Sequence, residues 1–243
     1  MSESQKELFD KRVDKVDVVQ PIDVALSLLS SQNTALTYLN SYYNSHEPAR
    51  EALLRSIQTI YQTARAEAKV IITGVGKSGI ISRNIAATFN SLGIPSCYIH
   101  PTEAFHGDLG AMRSRDTLMM ITSSGRTPEL LSLLPHLPRE SPLIVLAACP
   151  PSSCCEILQV RPDSIFLPAP VHEPEAVSLG IPVPTTTAMN AHAVGNSLAL
   201  AVSARLQLSC GRDTVEVFYK NHPGGAIGEA KRNLPSDQFR ARL

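Results

Sequence analysis

The sequence lacks net charge: 22 basic residues balance 22 acidic ones over 243 positions. Without a cationic excess there is no electrostatic footprint for nucleic acid or for an anionic membrane surface, and nothing in the composition calls for either as a partner. Long apolar runs are missing too. Although 43% of the chain is hydrophobic, an ordinary share for a soluble protein, no stretch approaches the ~20 residues of a membrane-spanning helix. The N-terminus, MSESQKELFDKRVDKVDVVQ, holds no apolar segment that could serve as a secretory signal, so a cytoplasmic location is expected. Cysteine is scarce and unpatterned. Cys97, Cys149, Cys154, Cys155 and Cys210 form an odd set without paired C-x-x-C spacing, which reads as reduced thiols rather than a zinc or redox site.

Repeats and Gly/Ser-rich linkers are also absent, so the economical count is one domain. Residues 1–20, rich in charge, are expected to be flexible. Residues 21–230 form the domain with a helical N-terminal extension, and 231–243 a polar tail. Apolar spacing from Pro21 and again from Pro48 predicts two amphipathic helices, with proline in the first turn where a missing N–H costs nothing. After Ala68 short apolar runs alternate with helical segments: KVIITG (69–74), PSCYIH (95–100), TLMMITS (117–123), PLIVLAA (142–148) and SIFLP (164–168). Runs apolar throughout suit strands buried on both faces. The fold class expected is therefore α/β, a doubly wound parallel sheet of about five strands with helices on both faces. A long helical stretch, TTTAMNAHAVGNSLALAVSARLQL, follows.

The glycine-rich turn in VIITGVGKSGII invites three readings. Gly74, Gly76 and Gly79 match the dinucleotide fingerprint G-x-G-x-x-G, but that site wants an acid ending the second strand to hold a ribose. Here the strand ends Tyr98-Ile99-His100-Pro101, and the first acid is Glu103. A nucleoside-triphosphate loop needs a glycine where Ile71 sits in the strand. What survives is a shorter turn carrying an ammonium, a hydroxyl and backbone N–H groups at a helix start. That suffices to bind one phosphate or to steady one developing negative charge. A second such turn, Thr122-Ser123-Ser124-Gly125-Arg126-Thr127-Pro128-Glu129, follows the third strand and also faces the carboxyl edge of the sheet, where ligands of open α/β sheets bind. Taken alone, Pro128 and Glu129 fit an ordinary helix start. His100 and His106 lack a third ligand at sensible spacing, and no metal is expected.

In order and spacing, GVGKSG, HGDLG, SSGRTPE and HPGGAIG resemble the sugar isomerase (SIS) domain proteins, and most of all the arabinose 5-phosphate isomerases. The resemblance spans about residues 20 to 230. It implies a sugar phosphate held by Ser78, Thr122, Ser124 and Thr127, with Ser123 lending its backbone and Gly76, Thr185 and Thr186 lining the sugar. It also implies catalytic groups at Lys77, His106, Glu129, His222 and Glu175, with Glu173 the alternative to Glu175 because the loop VHEPEAVSLGIPVP carries one extra residue. A homo-oligomer, tetramer or dimer, with sites at subunit boundaries is implied as well. The family's Pro-Thr-Ser-Ser-Thr-Thr reads Pro184-Thr185-Thr186-Thr187-Ala188-Met189 here and loses its last two hydroxyls. Typical members continue into two small regulatory modules, so a chain ending soon after HPGG is expected to be the catalytic core alone.

The chemistry fits independently of the resemblance. Interconverting a 2-ketose phosphate and an aldose phosphate needs one base to move a proton between neighbouring carbons, and a charge to steady the enediolate. A carboxylate such as Glu129 can shuttle the proton if desolvation brings it toward working pH. Lys77 can sit where the oxyanion develops, a contribution typically worth ~3 kcal/mol. His106 or His222 can open the furanose ring. No redox cofactor is required. The expected function is interconversion of D-ribulose 5-phosphate and D-arabinose 5-phosphate. The alternatives are a non-catalytic sugar-phosphate regulator, or an isomerase of another phosphosugar.

Overall fold

The structure, a computed structural model, describes residues 20–150 and 155–233. The expectation of a flexible start therefore lies almost wholly outside the described residues. Two helices lead, α1 (Pro21–Ser45) and α2 (Glu47–Arg65), each with proline at its first or second position. His46 alone separates them, and its Nδ1 caps α2 by accepting the Ala49 N–H at 3.2 Å.

Strand and helix then alternate: β1 (Val70–Thr73), α3 (Lys77–Ser91), β2 (Ser96–Tyr98), α4 (Pro101–Ala104), β3 (Thr117–Thr122), α5 (Pro128–Leu133), β4 (Leu143–Ala147), α6 (Glu156–Val160) and β5 (Ile165–Pro168). After β5 come α7 (Glu175–Ser178), α8 (Thr186–Ser209), α9 (Thr214–Asn221) and α10 (Gly225–Asn233), the last running past the tail boundary drawn at residue 230. Each of the five apolar runs contains a strand. The strands form one parallel sheet in the order β2-β1-β3-β4-β5, with Val70 of β1 paired to Ser96 on one side and Thr117 on the other.

The pleat sorts the strand residues onto two buried faces. Val70, Ile72, Met119, Ile121, Ile144 and Leu146 pack against α2, α3 and α8 through Ile60, Ile85, Phe89, Val194 and Leu198. The alternate residues Ile71, Leu118, Met120, Leu143 and Val145 meet Leu130, Leu133 and Ile157 from α5 and α6. Each fully buried aliphatic side chain stabilises this arrangement by roughly 1.5–3 kcal/mol. α8 lies deepest, and at Gly195 it presses directly against Ile85 of α3.

Two features bear on function. First, the strand order reverses at β1, with successive crossovers leaving to opposite sides, so a crevice opens between the carboxyl ends of β1 and β3. Second, α1 leaves Ile22, Val24, Leu26 and Leu29 each more than half exposed. Among the described residues no helix is long and apolar enough to cross a membrane.

Candidate active site

The first wall of the crevice is the turn from β1 into α3. A Cβ added at Gly74 would lie 2.9 Å from the Ser78 backbone, and one at Gly79 would lie 2.8 Å from the Gly74 carbonyl. Those two glycines let the helix close down on the strand end. Gly76 has φ +59° and ψ −127°, a conformation open to glycine, and stands at the N-cap position of α3. The Tyr98 hydroxyl, at the end of β2, donates to the Gly74 carbonyl at 3.0 Å. No side chain among the described residues caps α3, so its first N–H groups remain for an anion in the crevice. Lys77 opens the helix, and its Nζ donates to the Pro184 carbonyl at 2.9 Å.

The second wall is the loop between β3 and α5. The hydroxyls of Thr122 and Thr127 meet at 2.9 Å, and Thr122 Oγ1 also accepts the Gly125 N–H at 3.2 Å. The loop is thus closed into a ring whose tip, Ser123 and Ser124, is exposed. From behind, Cys149 N–H donates to the Ser123 carbonyl at 3.0 Å and Ile157 N–H to the Gly125 carbonyl at 3.2 Å. Cys155 packs so tightly on Gly125 that a Cβ there would fall 2.6 Å from its sulfur. A hydrogen bond with Cys149 draws the Cys155 thiol down to about 7 in spite of its burial.

The third wall is the turn Pro184–Thr187 that starts α8. Glu175, 8% exposed, directs Oε1 at it and accepts from Thr185 N–H at 3.1 Å, Thr187 N–H at 2.8 Å and the Thr187 hydroxyl at 2.6 Å. Burial pushes this carboxyl up, but the Thr187 hydroxyl and the two N–H donors outweigh it and hold the group below the usual carboxylate range. Of the two acids weighed for this loop, Glu175 makes these contacts.

Together the walls enclose a cavity of about 320 Å³, lined by Lys77, Ser78, Thr122, Ser123 and Thr187 with Ile81, Ile121, Ala188 and Ala191 as an apolar floor. That size suits a small metabolite. Four of the expected residues therefore meet in one crevice, with Gly76 beside them. Ser124 and Thr127 belong to the same loop, where Ser124 Oγ accepts the Arg126 N–H at 3.2 Å. Thr186 is fully buried, and both its hydroxyl and that of Thr185 lie inside the protein without a hydrogen-bond partner among the described residues. The threonine that faces the cavity is Thr187, absent from the expected site. It shares one stripe of α8 with Ala188 and Ala191, and no signal in the sequence singled that stripe out.

The other expected groups are not among the residues that line the cavity. Glu129 is exposed in the first turn of α5, and His106 is exposed just after α4. His100 caps α4, its Nδ1 accepting the Thr102 N–H. His222 ends α9 with its ring nitrogen 2.7 Å from the Phe218 carbonyl. Its neighbour Asn221 donates to the Asn90 and Ser91 carbonyls, at the end of α3 opposite Lys77. At 1.5 Å per residue that places His222 roughly 20 Å from the Lys77 end of the crevice.

Comparison with known proteins finds the same framework. The SIS domain family model matches residues 64–156. Arabinose 5-phosphate isomerase KdsD of Escherichia coli O6:H1 strain CFT073 is 40% identical over 161 residues, 66% of this chain and 45% of the relative. The chain spans about half the length of the curated relatives it matches. Among solved structures, the Escherichia coli CFT073 protein c3406 in complex with arabinose 5-phosphate superposes with a TM-score of 0.62 at 31% identity, covering 78% of this chain and 93% of that one. A Listeria monocytogenes structure, 24% identical, covers 86% of this chain and 100% of its own with a TM-score of 0.67, and speaks to the fold alone.

Proposed function

The chain belongs to the SIS domain family, and from that premise we propose that it interconverts D-ribulose 5-phosphate and D-arabinose 5-phosphate. The observation that carries this reading is the switch-point cavity in which an uncapped helix start, Lys77, Ser78 and the hydroxyl-closed loop at Thr122–Thr127 face one another. The N–H groups at the start of α3 and the hydroxyls of Ser78 and the Ser123–Ser124 tip suit one terminal phosphate. Likeness to KdsD and to c3406, solved with arabinose 5-phosphate, favours a pentose phosphate.

In the proposed reaction a base removes a proton from C1 of the ketose, the electrons of the C–H bond form a C1–C2 double bond, and the carbonyl π pair moves onto O2. The resulting enediolate is steadied by the Lys77 ammonium. The proton then returns to C2 while the O1 proton passes to O2, leaving an aldehyde at C1 and a hydroxyl at C2. Glu129, exposed in one chain, is the base in this scheme once substrate or a second copy shields it from water. His222 takes part only from another copy, since its own chain holds it at the far end of α3. The exposed apolar side of α1 supplies a surface for such assembly. The test is turnover of D-ribulose 5-phosphate by purified protein, with Glu129→Ala beside it. We expect arabinose 5-phosphate from the wild type and none from a variant that still binds the sugar phosphate. Binding without turnover in both would favour a regulator, and turnover of a hexulose or heptose phosphate alone would replace the substrate.

A further inference from the structure

We propose that Glu175 is a positioning residue: its carboxylate fixes the Pro184–Thr187 turn so that the Pro184 carbonyl holds the Lys77 ammonium at the cavity wall. This rests on the isomerase reading for its kinetic consequence, but not for its structural one. All three donors, Thr185 N–H, Thr187 N–H and the Thr187 hydroxyl, converge on the same oxygen, Oε1. One of them, the Thr187 N–H, lies in the first turn of a 24-residue helix, and another, the Thr185 N–H, belongs to its N-cap residue, which makes no side-chain cap of its own. Glu175 is therefore the cap of α8 supplied from ten residues upstream, a negative charge against the positive end of the helix dipole.

The contact chain continues without a gap. Thr185 follows Pro184 through one peptide bond, and the Pro184 carbonyl accepts from Lys77 Nζ at 2.9 Å. Proline fixes its own φ, so once the Thr185 N–H is held the direction of that carbonyl is largely set. Lys77 is otherwise a long exposed side chain with many rotamers. A proton-transferring carboxylate needs a lone pair turned to the substrate. The oxygen of Glu175 that faces the turn already accepts three hydrogen bonds, and the cavity is lined by Thr187 rather than by the glutamate. The same geometry explains how α8 avoids competing for the ligand's phosphate: its positive end is neutralised from within, and that of α3 is left open.

The experiment compares wild type, Glu175→Gln and Glu175→Ala. Glutamine keeps an Oε1 able to accept the same donors, and alanine does not. Expected for glutamine is a loss in kcat of less than about tenfold, with the acid limb of the kcat/KM profile unchanged, and for alanine a loss of about a hundredfold. Equal loss in both variants, with the acid limb gone, would make Glu175 the base and overturn the proposal. A second readout needs no turnover: trinitrobenzenesulfonate labelling of Lys77, read by peptide mass. Alanine should label severalfold faster than wild type, and glutamine at close to the wild-type rate. An unchanged rate in alanine overturns the proposal. A wild type that labels as expected yet turns over no pentose phosphate leaves positioning intact and refutes the isomerase reading instead.

Discussion

Lys77 is the residue on which charge and geometry converge. Its ammonium stands at the open N-terminus of α3 and is aimed by the Pro184 carbonyl, so Lys77→Met should leave the fold intact while lowering kcat about a hundredfold, ~2.7 kcal/mol of transition-state stabilisation. Steady-state kinetics beside a thermal melt separate the two effects. Glu175 titrates in the opposite sense from a base tuned for neutral pH. Its folded value lies below the usual 4.5, so its contribution to stability is complete above 4.5 and is lost as pH falls through the lower folded value. Thermal unfolding across acid pH should show that loss in wild type and not in Glu175→Gln. Lys77 and Ser78 were legible in the sequence because a glycine turn between strand and helix has few geometries. The Glu175 contacts were not, because they depend on how the loop from β5 folds back on α8.

At the scale of elements, close approach of α8 to α3 is what sets the width of the crevice. Gly195 allows it, with the fully buried Ile85 occupying the place of a side chain. Gly195→Val should therefore destabilise by roughly 1–3 kcal/mol through overpacking, measured by chemical denaturation, and weaken sugar-phosphate binding in the same step. The five strands could be read directly, since runs such as LIVLA are apolar at every position and buried on both faces. The one-turn helices α4 and α7 could not. Four residues give no periodicity, and α4 exists because His100 caps it and Pro101 opens it. The cavity-facing stripe of α8 was likewise hidden, because its residues are apolar or small on nearly every side and only packing decides which face meets the crevice.

For the whole molecule the question is how many chains make one site. The crevice gathers Lys77, Ser78, Thr122 and Ser123 within a single chain, whereas His222 is held roughly 20 Å away along α3. The apolar side chains at Ile22, Val24, Leu26 and Leu29 face outward on α1. A shared site predicts that Lys77→Ala and His222→Ala, each inactive alone, regain about a quarter of wild-type activity when unfolded and refolded together, the chance that a site draws its intact lysine and histidine from different chains. If both groups served within one chain, mixing would restore nothing. Sequence order could associate these residues, but it carries no information on which copy of the chain brings them together.

The central claim is proton transfer between C1 and C2 of a pentose 5-phosphate beside Lys77. It is tested most directly by following D-ribulose 5-phosphate with the wild-type protein in deuterated water by proton NMR. The account predicts D-arabinose 5-phosphate appearing with deuterium at C2, through an enediolate that exchanges with solvent. Ribulose 5-phosphate that is bound but stays unchanged, with both C1 protons retained, would contradict it.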